Sequence, residues 1–205
     1  MNQASIRHRS FAIVPAAGRS RRMGQDKLLL PWGDCTVIES LLASWRAGGV
    51  DEIVVVMRRD QTELPSRCSD ASIVIPEIAP PEMKDSVLAA LTYIRENFSP
   101  VENDVWLLAP ADMPQLDPTI VKRLVAAHDP TSPAIVVPAS GGRRGHPVLF
   151  PWACADAVAK LADNEGVNAL LERLPVRELE CGNSEIHGDL DTPGDYERLR
   201  RDAGQ

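Results

Sequence analysis

The feature of this chain most suited to chemistry is a group of basic side chains that follows its first apolar segment. The run Phe11–Val14 is typical of a buried strand, and it ends in Pro15 and three small residues, Ala16, Ala17 and Gly18. A glycine-containing loop of this kind can turn successive backbone N–H groups toward an anion. Cationic side chains add charge-assisted hydrogen bonds to phosphate oxygens, and the candidates here are Arg19, Arg22 and Lys27. The segment therefore predicts a triphosphate site, with a solvated basic surface as the alternative.

Two familiar phosphate-binding motifs are absent from the sequence. No Gly-x-x-x-x-Gly-Lys-Ser/Thr pattern occurs, which excludes a P-loop. No Gly-x-Gly-x-x-Gly pattern occurs either, which excludes the dinucleotide-binding fingerprint. The loop after Val14 must therefore hold phosphate groups in another way.

Carboxylates follow two later segments in positions that suit a metal site. Asp112 comes just after the apolar run Val105–Ala109, and Asp189 and Asp191 lie just before the last helix-forming segment. Open α/β sheets bind ligands at the carboxyl ends of their strands. Because Mg²⁺ usually takes one or two carboxylates together with substrate phosphates, these acids could hold one ion against a triphosphate. Taken singly, Asp112 also fits a turn residue, and Asp191 fits a neighbour of a helix cap.

Composition limits the kind of protein this can be. The 205 residues are enough for one domain with a sizeable core, which we place at residues 11–205 after a flexible tail at residues 1–10. The net charge of −7 argues against general nucleic-acid binding. No apolar run approaches the roughly 20 residues that span a bilayer, and the first ten residues carry no secretory signal. Four scattered cysteines without Cys-x-x-Cys spacing favour reduced thiols, and we expect a cytoplasmic protein without membrane contacts.

Strand-like and helix-like segments alternate along the chain. The expected strands are residues 11–14, 53–57, 73–75, 105–109, 135–137, 147–150 and 176–179, and residues 28–33 are expected to form a short extended segment and a turn. The expected helices are residues 36–47, 84–98, 118–128, 153–161 and 166–174, followed by a last helix that opens at Thr192. This alternation predicts an α/β fold with a mostly parallel sheet and helices on both faces.

The basic loop resembles the signature loop of the nucleotidyltransferases, Ala-Ala-Gly-x-Ser-x-Arg-Met-Gly-x-x-Lys. The match extends without a gap from Ala16 to Lys27. The segment Ala111–Pro114 resembles the family's Gly-Asp-x-Pro motif with its glycine replaced, and Asp189–Asp195 resembles a second acidic pattern near the C-terminus. The resemblance implies a three-layer αβα, Rossmann-like nucleotidyltransferase fold with a mostly parallel mixed sheet. It also implies that Asp112 and one or both of Asp189 and Asp191 bind Mg²⁺.

Three further segments are similar to the molybdenum cofactor cytidylyltransferase branch of the MobA-like nucleotidyltransferases. The segment Arg144, Gly145, His146 and Pro147 implies contacts to the acceptor, with a packed structural histidine as the alternative for His146. Ser86 falls in a Gly-Met-x-x-Ser motif beside the nucleotide, where Glu82 replaces the glycine. A third motif, at residues 163–171, has Asn168 in place of its arginine.

The resemblance implies transfer of a nucleoside monophosphate to a phosphorylated acceptor, with release of pyrophosphate. Arg19 and Arg22 would bind the β- and γ-phosphates, and Lys27 would neutralise charge on the α-phosphoryl group, with Asp112 as the fourth catalytic residue. Ala17 favours CTP over GTP, and the acceptor would be a pterin-type cofactor, with a molybdoenzyme client as a further partner. The alternatives are a guanylyltransferase, a cytidylyltransferase of the methylerythritol phosphate type, and a carrier of the cofactor without catalytic activity.

Overall fold

The computed structural model describes residues 8–20, 23–182 and 185–204. Its strands are β1 (Ser10–Pro15), β2 (Pro31–Trp32), β3 (Cys35–Thr36), β4 (Glu52–Val56), β5 (Ser72–Val74), β6 (Val105–Leu108), β7 (Ile135–Ser140), β8 (Arg143–Arg144), β9 (Val148–Pro151) and β10 (Val176–Glu180). Seven of them form the order β10-β7-β9-β6-β1-β4-β5, and β8 extends this sheet beside β7. The strands β2 and β3 form a separate hairpin. In the main sheet, β9 runs antiparallel to β6 and β7, whereas β1 is parallel to both β4 and β6.

Six helices accompany the sheet in the described part of the chain. They are α1 (Val37–Ala47), α2 (Met83–Phe98), α3 (Pro118–Ala126), α4 (Ala155–Val158), α5 (Leu170–Arg173) and α6 (Pro193–Asp202). Thr36 caps α1 through a capping box with Glu39, and Asp117 caps α3 ahead of a proline at its first position. None of these helices is both long and apolar enough to cross a membrane.

The two faces of the sheet carry two separate apolar clusters. Successive side chains of a strand point to opposite faces. In β1, Ala12 and Val14 therefore pack with residues of α1 and α3, whereas Phe11 and Ile13 pack with residues of α2, α4 and α5. The central strands are buried on both sides, as expected for parallel strands covered by helices. This arrangement confirms the predicted three-layer α/β fold with a mostly parallel mixed sheet.

Two predictions of local structure were wrong. In the segment 28–33, the extended residues Pro31–Trp32 and the turn at Gly33 agree with the prediction, but the extended part does not begin at residue 28. Lys27–Leu29 form a 3₁₀ turn instead, because the Asp26 carboxylate accepts from the Leu28 amide at 3.1 Å. The predicted helices at 153–161 and 166–174 shrink to α4 and α5, each extended at its N-terminal end by a 3₁₀ turn. Beyond α4, the Lys160 and Leu161 amides bond the Ala157 and Val158 carbonyls, three residues back, so the α-helical hydrogen-bond pattern is not continued. At Ala162, the amide then bonds the Glu165 carboxylate and the carbonyl bonds Lys84.

The first residues that the structure describes include an ion pair that the sequence did not reveal. Arg9, placed in the predicted tail, donates to the buried Asp104 from Nε at 3.1 Å and from Nη2 at 2.7 Å. Burial alone would raise the pKa of Asp104, but the hydrogen bonds from Arg9 and from the Val101 amide outweigh burial and lower it. The ordered sheet thus begins at Ser10, and residues 1–7 lie outside the described residues.

Replacing Asp104 with alanine should destabilise the fold by about 3 kcal/mol, because it removes the buried carboxylate to which the Arg9 guanidinium and the amides of Arg9 and Val101 all donate. Urea unfolding followed by circular dichroism measures this loss. The exposed neighbour Glu102 provides a matched control, since Glu102→Ala should change the free energy of unfolding by less than about 0.5 kcal/mol. Equal effects of the two substitutions would contradict a stabilising role for the ion pair.

Candidate active site

The loop that leaves β1 lies at the carboxyl end of the parallel strands. Its first amide, from Ala16, donates to the Val56 carbonyl of β4 at 2.8 Å, so the loop begins as a continuation of the sheet. The loop lines a cavity of about 710 Å³, which is also lined by the segment 79–83 and by the buried Ser86 at the start of α2. The loop residues in its lining are Pro15, Ala17, Gly18, Arg19 and Ser20. The predicted nucleotide-binding loop and Ser86 therefore line the same cavity.

Lys27 joins the loop to the two acidic segments. Its Nζ contacts the Asp112 carboxylate, donates to the Leu190 carbonyl at 2.8 Å and lies 3.2 Å from Asp191 Oδ1. The Lys27 side chain is only 18% exposed, so these interactions are poorly screened by water. Three segments that are far apart in sequence meet at one ammonium group.

The acidic residues lie close enough to influence each other. The Asp112 carbonyl accepts from the Leu190 amide at 3.1 Å, which ties the segment after β6 to the segment before α6. Asp189 keeps contact with solvent, but the protein packed around its carboxyl group, together with the charge of Asp112, raises its pKa. A cavity of about 320 Å³ is lined by Lys27 and all three acids.

This donor set fits a divalent cation shared with a nucleotide. Carboxylate oxygens are the hard ligands that Mg²⁺ prefers, and a cation would offset both the burial and the charge of Asp112 that raise the pKa of Asp189. Among residues 8–20, 23–182 and 185–204, no three histidine, cysteine, aspartate or glutamate side chains form a complete metal cage. An ion held here would thus need phosphate or water oxygens to complete its coordination.

The other predicted phosphate ligands are less well placed. Arg19 is exposed, and its Nη1 lies 3.8 Å from Asp60 Oδ2. Arg22 lies outside the described residues, so its role stays a prediction. Both roles for Arg19, in catalysis and in nucleotide binding, would require it to exchange Asp60 for phosphate oxygens.

Two residues that contact the loop were missed by sequence reasoning. Arg58 and Gln61 lie just beyond β4, and both bond backbone carbonyls of the loop. Their position was the available signal, because they follow a parallel strand as Asp112 does.

None of the four predicted acceptor residues lines the cavities described above. These residues are Arg144, Gly145, His146 and Pro147. Arg144 is on the exposed β8 and bonds Glu178 of β10 at 2.7 Å. The His146 amide donates to the Ile186 carbonyl at 2.9 Å, just ahead of Asp189. Burial lowers the pKa of His146, although the charges of Asp189 and Asp112 oppose this shift. In this structure the segment supports the acidic turn, and its contact with an acceptor stays a prediction.

Gly145→Ala should lower turnover by about tenfold or more, since small displacements of catalytic groups are costly. A Cβ at Gly145 would lie 2.4 Å from the Ile186 carbonyl oxygen, so the segment that carries Asp189 would have to move. Steady-state rates and melting temperatures should be compared with those of Gly166→Ala, where no atom lies within 4 Å of the added Cβ. A Gly145→Ala protein with the activity of this control would rule out the positioning role.

The fold and this site together define an α/β protein that presents a glycine-containing loop, a lysine and acidic residues at the carboxyl ends of its parallel strands. The chain belongs to the MobA-like NTP transferase domain family, whose sequence profile matches residues 12–179. It is therefore a nucleotidyltransferase. The match ends before Asp189 and Asp191, so the argument for these two acids depends on their geometry.

Relatives of known name cover almost the whole chain. The molybdenum cofactor cytidylyltransferase of Escherichia coli (strain K12) is 26% identical, over 90% of this chain and 92% of its own. The nicotine blue oxidoreductase of Paenarthrobacter nicotinovorans is 27% identical, over 91% of this chain and 94% of its own. The crystal structure of Rv0371c from Mycobacterium tuberculosis H37Rv superposes with a TM-score of 0.81 at 28% identity, over 95% of this chain and 99% of that one. A structure of Rv0371c in complex with manganese has a TM-score of 0.76 at 27% identity, covering 94% and 98%.

Proposed function

We propose that this protein transfers CMP from CTP to the phosphate group of a molybdopterin-type cofactor, with Mg²⁺ as the metal and pyrophosphate as the second product. The observation that carries the proposal is the meeting of Lys27, Asp112 and Asp191 beside the Ala16–Gly18 loop. The E. coli relative is named for this reaction, which supports the choice of acceptor.

The proposed reaction needs charge stabilisation and positioning more than a strong base. An acceptor phosphate is already ionised near neutral pH, and one of its oxygens attacks the α-phosphorus of CTP. The new P–O bond forms as the bond to pyrophosphate breaks. Lys27 would turn from the acids to an α-phosphoryl oxygen, and Arg19 and Arg22 would bind the leaving β- and γ-phosphates.

Asp112 with Asp189 or Asp191 would hold the divalent ion. The ion would supply positive charge beside the phosphate oxygens of both substrates. The manganese complex of Rv0371c supports a metal at a site of this fold. In the structure described here, the ammonium group of Lys27 supplies the positive charge between Asp112 and Asp191.

The choice of CTP depends on the loop. Ala17 is nearly buried and lines the nucleotide cavity, so its methyl group takes space that a purine would need. One methyl group gives only modest discrimination, on the order of tenfold. GTP is therefore the natural competitor in any test.

The proposal is tested by incubating the protein with Mg²⁺, molybdopterin-type cofactor and either CTP or GTP, and measuring pyrophosphate release. We expect release with CTP at about ten times the rate seen with GTP. Faster release with GTP would instead identify a guanylyltransferase. Cofactor binding without release from either nucleotide would favour the carrier, and CTP-dependent release only with methylerythritol phosphate would identify a different acceptor.

A further inference from the structure

The turn that follows β4 holds the loop between β1 and Lys27 in place. Arg58 and Gln61 bond each other first: the Arg58 amide donates to Gln61 Oε1 at 2.8 Å, and the Gln61 amide donates to the Arg58 carbonyl at 3.2 Å. The Arg58 side chain is 11% exposed and Gln61 is 6% exposed. The two side chains that face the loop are thus largely buried in a turn that is bonded to itself, whereas Arg59 and Asp60 between them are exposed.

Arg58 supports the first part of the loop. Its Nη1 donates to the carbonyls of both Ala17 and Gly18, while its Nε donates to Asp60 Oδ1 at 2.8 Å. The bond to Asp60 fixes the plane of the guanidinium group, and a guanidinium presents its donors in a fixed fork. The guanidinium charge thus interacts with backbone carbonyls of the loop. Arg58 also lines the cavity of about 710 Å³.

Gln61 supports both ends of the loop. Its Nε2 donates to the Ala16 carbonyl and to Asp26 Oδ2, each at 3.1 Å. The other oxygen of Asp26 accepts from the Leu28 amide and so caps the 3₁₀ turn that carries Lys27. One amide group therefore connects the start of the loop to the turn that orients the lysine.

The direction of these carbonyls decides where the loop amides point. In a trans peptide the C=O of one residue and the N–H of the next point in opposite directions. Because the carbonyls of Ala16, Ala17 and Gly18 face the 58–61 turn, the amides of Ala17, Gly18 and Arg19 face away from it. Three successive N–H groups on one side of a loop form an anion-binding arrangement.

We propose that Arg58 and Gln61 are positioning residues for triphosphate binding: Arg58 fixes the amides of the Ala17–Arg19 segment, and Gln61 fixes the turn that presents Lys27. This inference rests on the proposed role of the loop, and it adds two residues that need not touch the nucleotide. It also predicts that the shape of the guanidinium group matters more than its charge.

The test compares Arg58→Met and Arg58→Lys with Arg59→Met, a matched control at the exposed neighbouring arginine. Calorimetry with Mg²⁺ measures the affinity for CTP or GTP, whichever the wild type binds more tightly, so a wrong nucleotide in the proposed function leaves the comparison valid. We expect Arg58→Met to weaken binding by about 10- to 100-fold, Arg58→Lys to restore part of this, and Arg59→Met to have less than about a threefold effect.

Hydrogen–deuterium exchange in the absence of nucleotide provides a readout that does not depend on any substrate. Exchange of the bonded Ala16 amide should accelerate in Arg58→Met, and Gln61→Leu should also accelerate exchange of the bonded amides in residues 27–30. Melting temperatures within a few degrees of wild type would show that the fold persists. Wild-type exchange and wild-type affinity in Arg58→Met would overturn the inference.

Discussion

Lys27→Ala should reduce nucleotidyl transfer on the order of 10³-fold while the protein stays folded. The reason is that negative charge develops on the α-phosphoryl oxygens during transfer, and a cation beside them stabilises it. Lys27 contacts Asp112 and Asp191 and lines the same cavity as the loop, so it is placed to supply that positive charge. The substitution removes this charge but leaves the backbone bond between Leu190 and Asp112, which keeps the two acidic segments together.

The loss should appear in kcat more than in the affinity for CTP, because the lysine acts mainly on the transition state. Single-turnover measurements with saturating nucleotide would separate the two effects. Lys160→Ala is a suitable control, since this lysine is exposed and lies far along the chain, beyond α4. A Lys27→Ala protein with more than a tenth of wild-type activity would exclude the catalytic role of this residue.

Asp112→Asn should lower transfer by about 10²- to 10³-fold and weaken metal-dependent binding of the nucleotide. Asparagine keeps the shape of the side chain, but it removes the negative charge that a divalent ion requires. Asp112 is 7% exposed, so water cannot readily replace the lost carboxylate oxygen.

The metal dependence of this second variant can be measured directly. Titration of Mn²⁺ by electron paramagnetic resonance, with CTP present, should show weaker ion binding in Asp112→Asn than in Asp70→Asn, an exposed control. Unchanged ion binding together with lost activity would show that Asp112 acts only through its contact with Lys27.

Much of the fold was predictable because the residues that form it repeat in simple ways. The buried strands are short runs of branched apolar residues, as in β4 and β6, and α1 carries its apolar residues on one face. The short helices were harder to predict, since the chain beyond α4 is held at Ala162 by bonds from its backbone to Lys84 and Glu165. Such side-chain bonds to the backbone leave no periodic signal in a sequence.

The candidate site was likewise predictable only in part. Lys27, Asp112 and Asp191 carry charges at loop and strand-end positions, and the structure brings them together as the sequence suggested. Arg58 and Gln61 share a strand-end position with Asp112, but their contacts could not be predicted, because their partners are main-chain carbonyls of Ala16, Ala17 and Gly18. The position of Gly145 shows the same limit, since only packing against Ile186 explains why a side chain is excluded there.

The most direct test of the account is a crystal structure of the protein with Mn²⁺ and a non-hydrolysable CTP analogue, in which anomalous scattering locates the ion. We expect the triphosphate to contact the amides of residues 17–19 and Lys27 Nζ to contact an α-phosphoryl oxygen. The ion should bind Asp112, at least one of Asp189 and Asp191, and phosphate oxygens. A nucleotide bound elsewhere, with Lys27 still bonded to Asp112 and no ion on these acids, would contradict it.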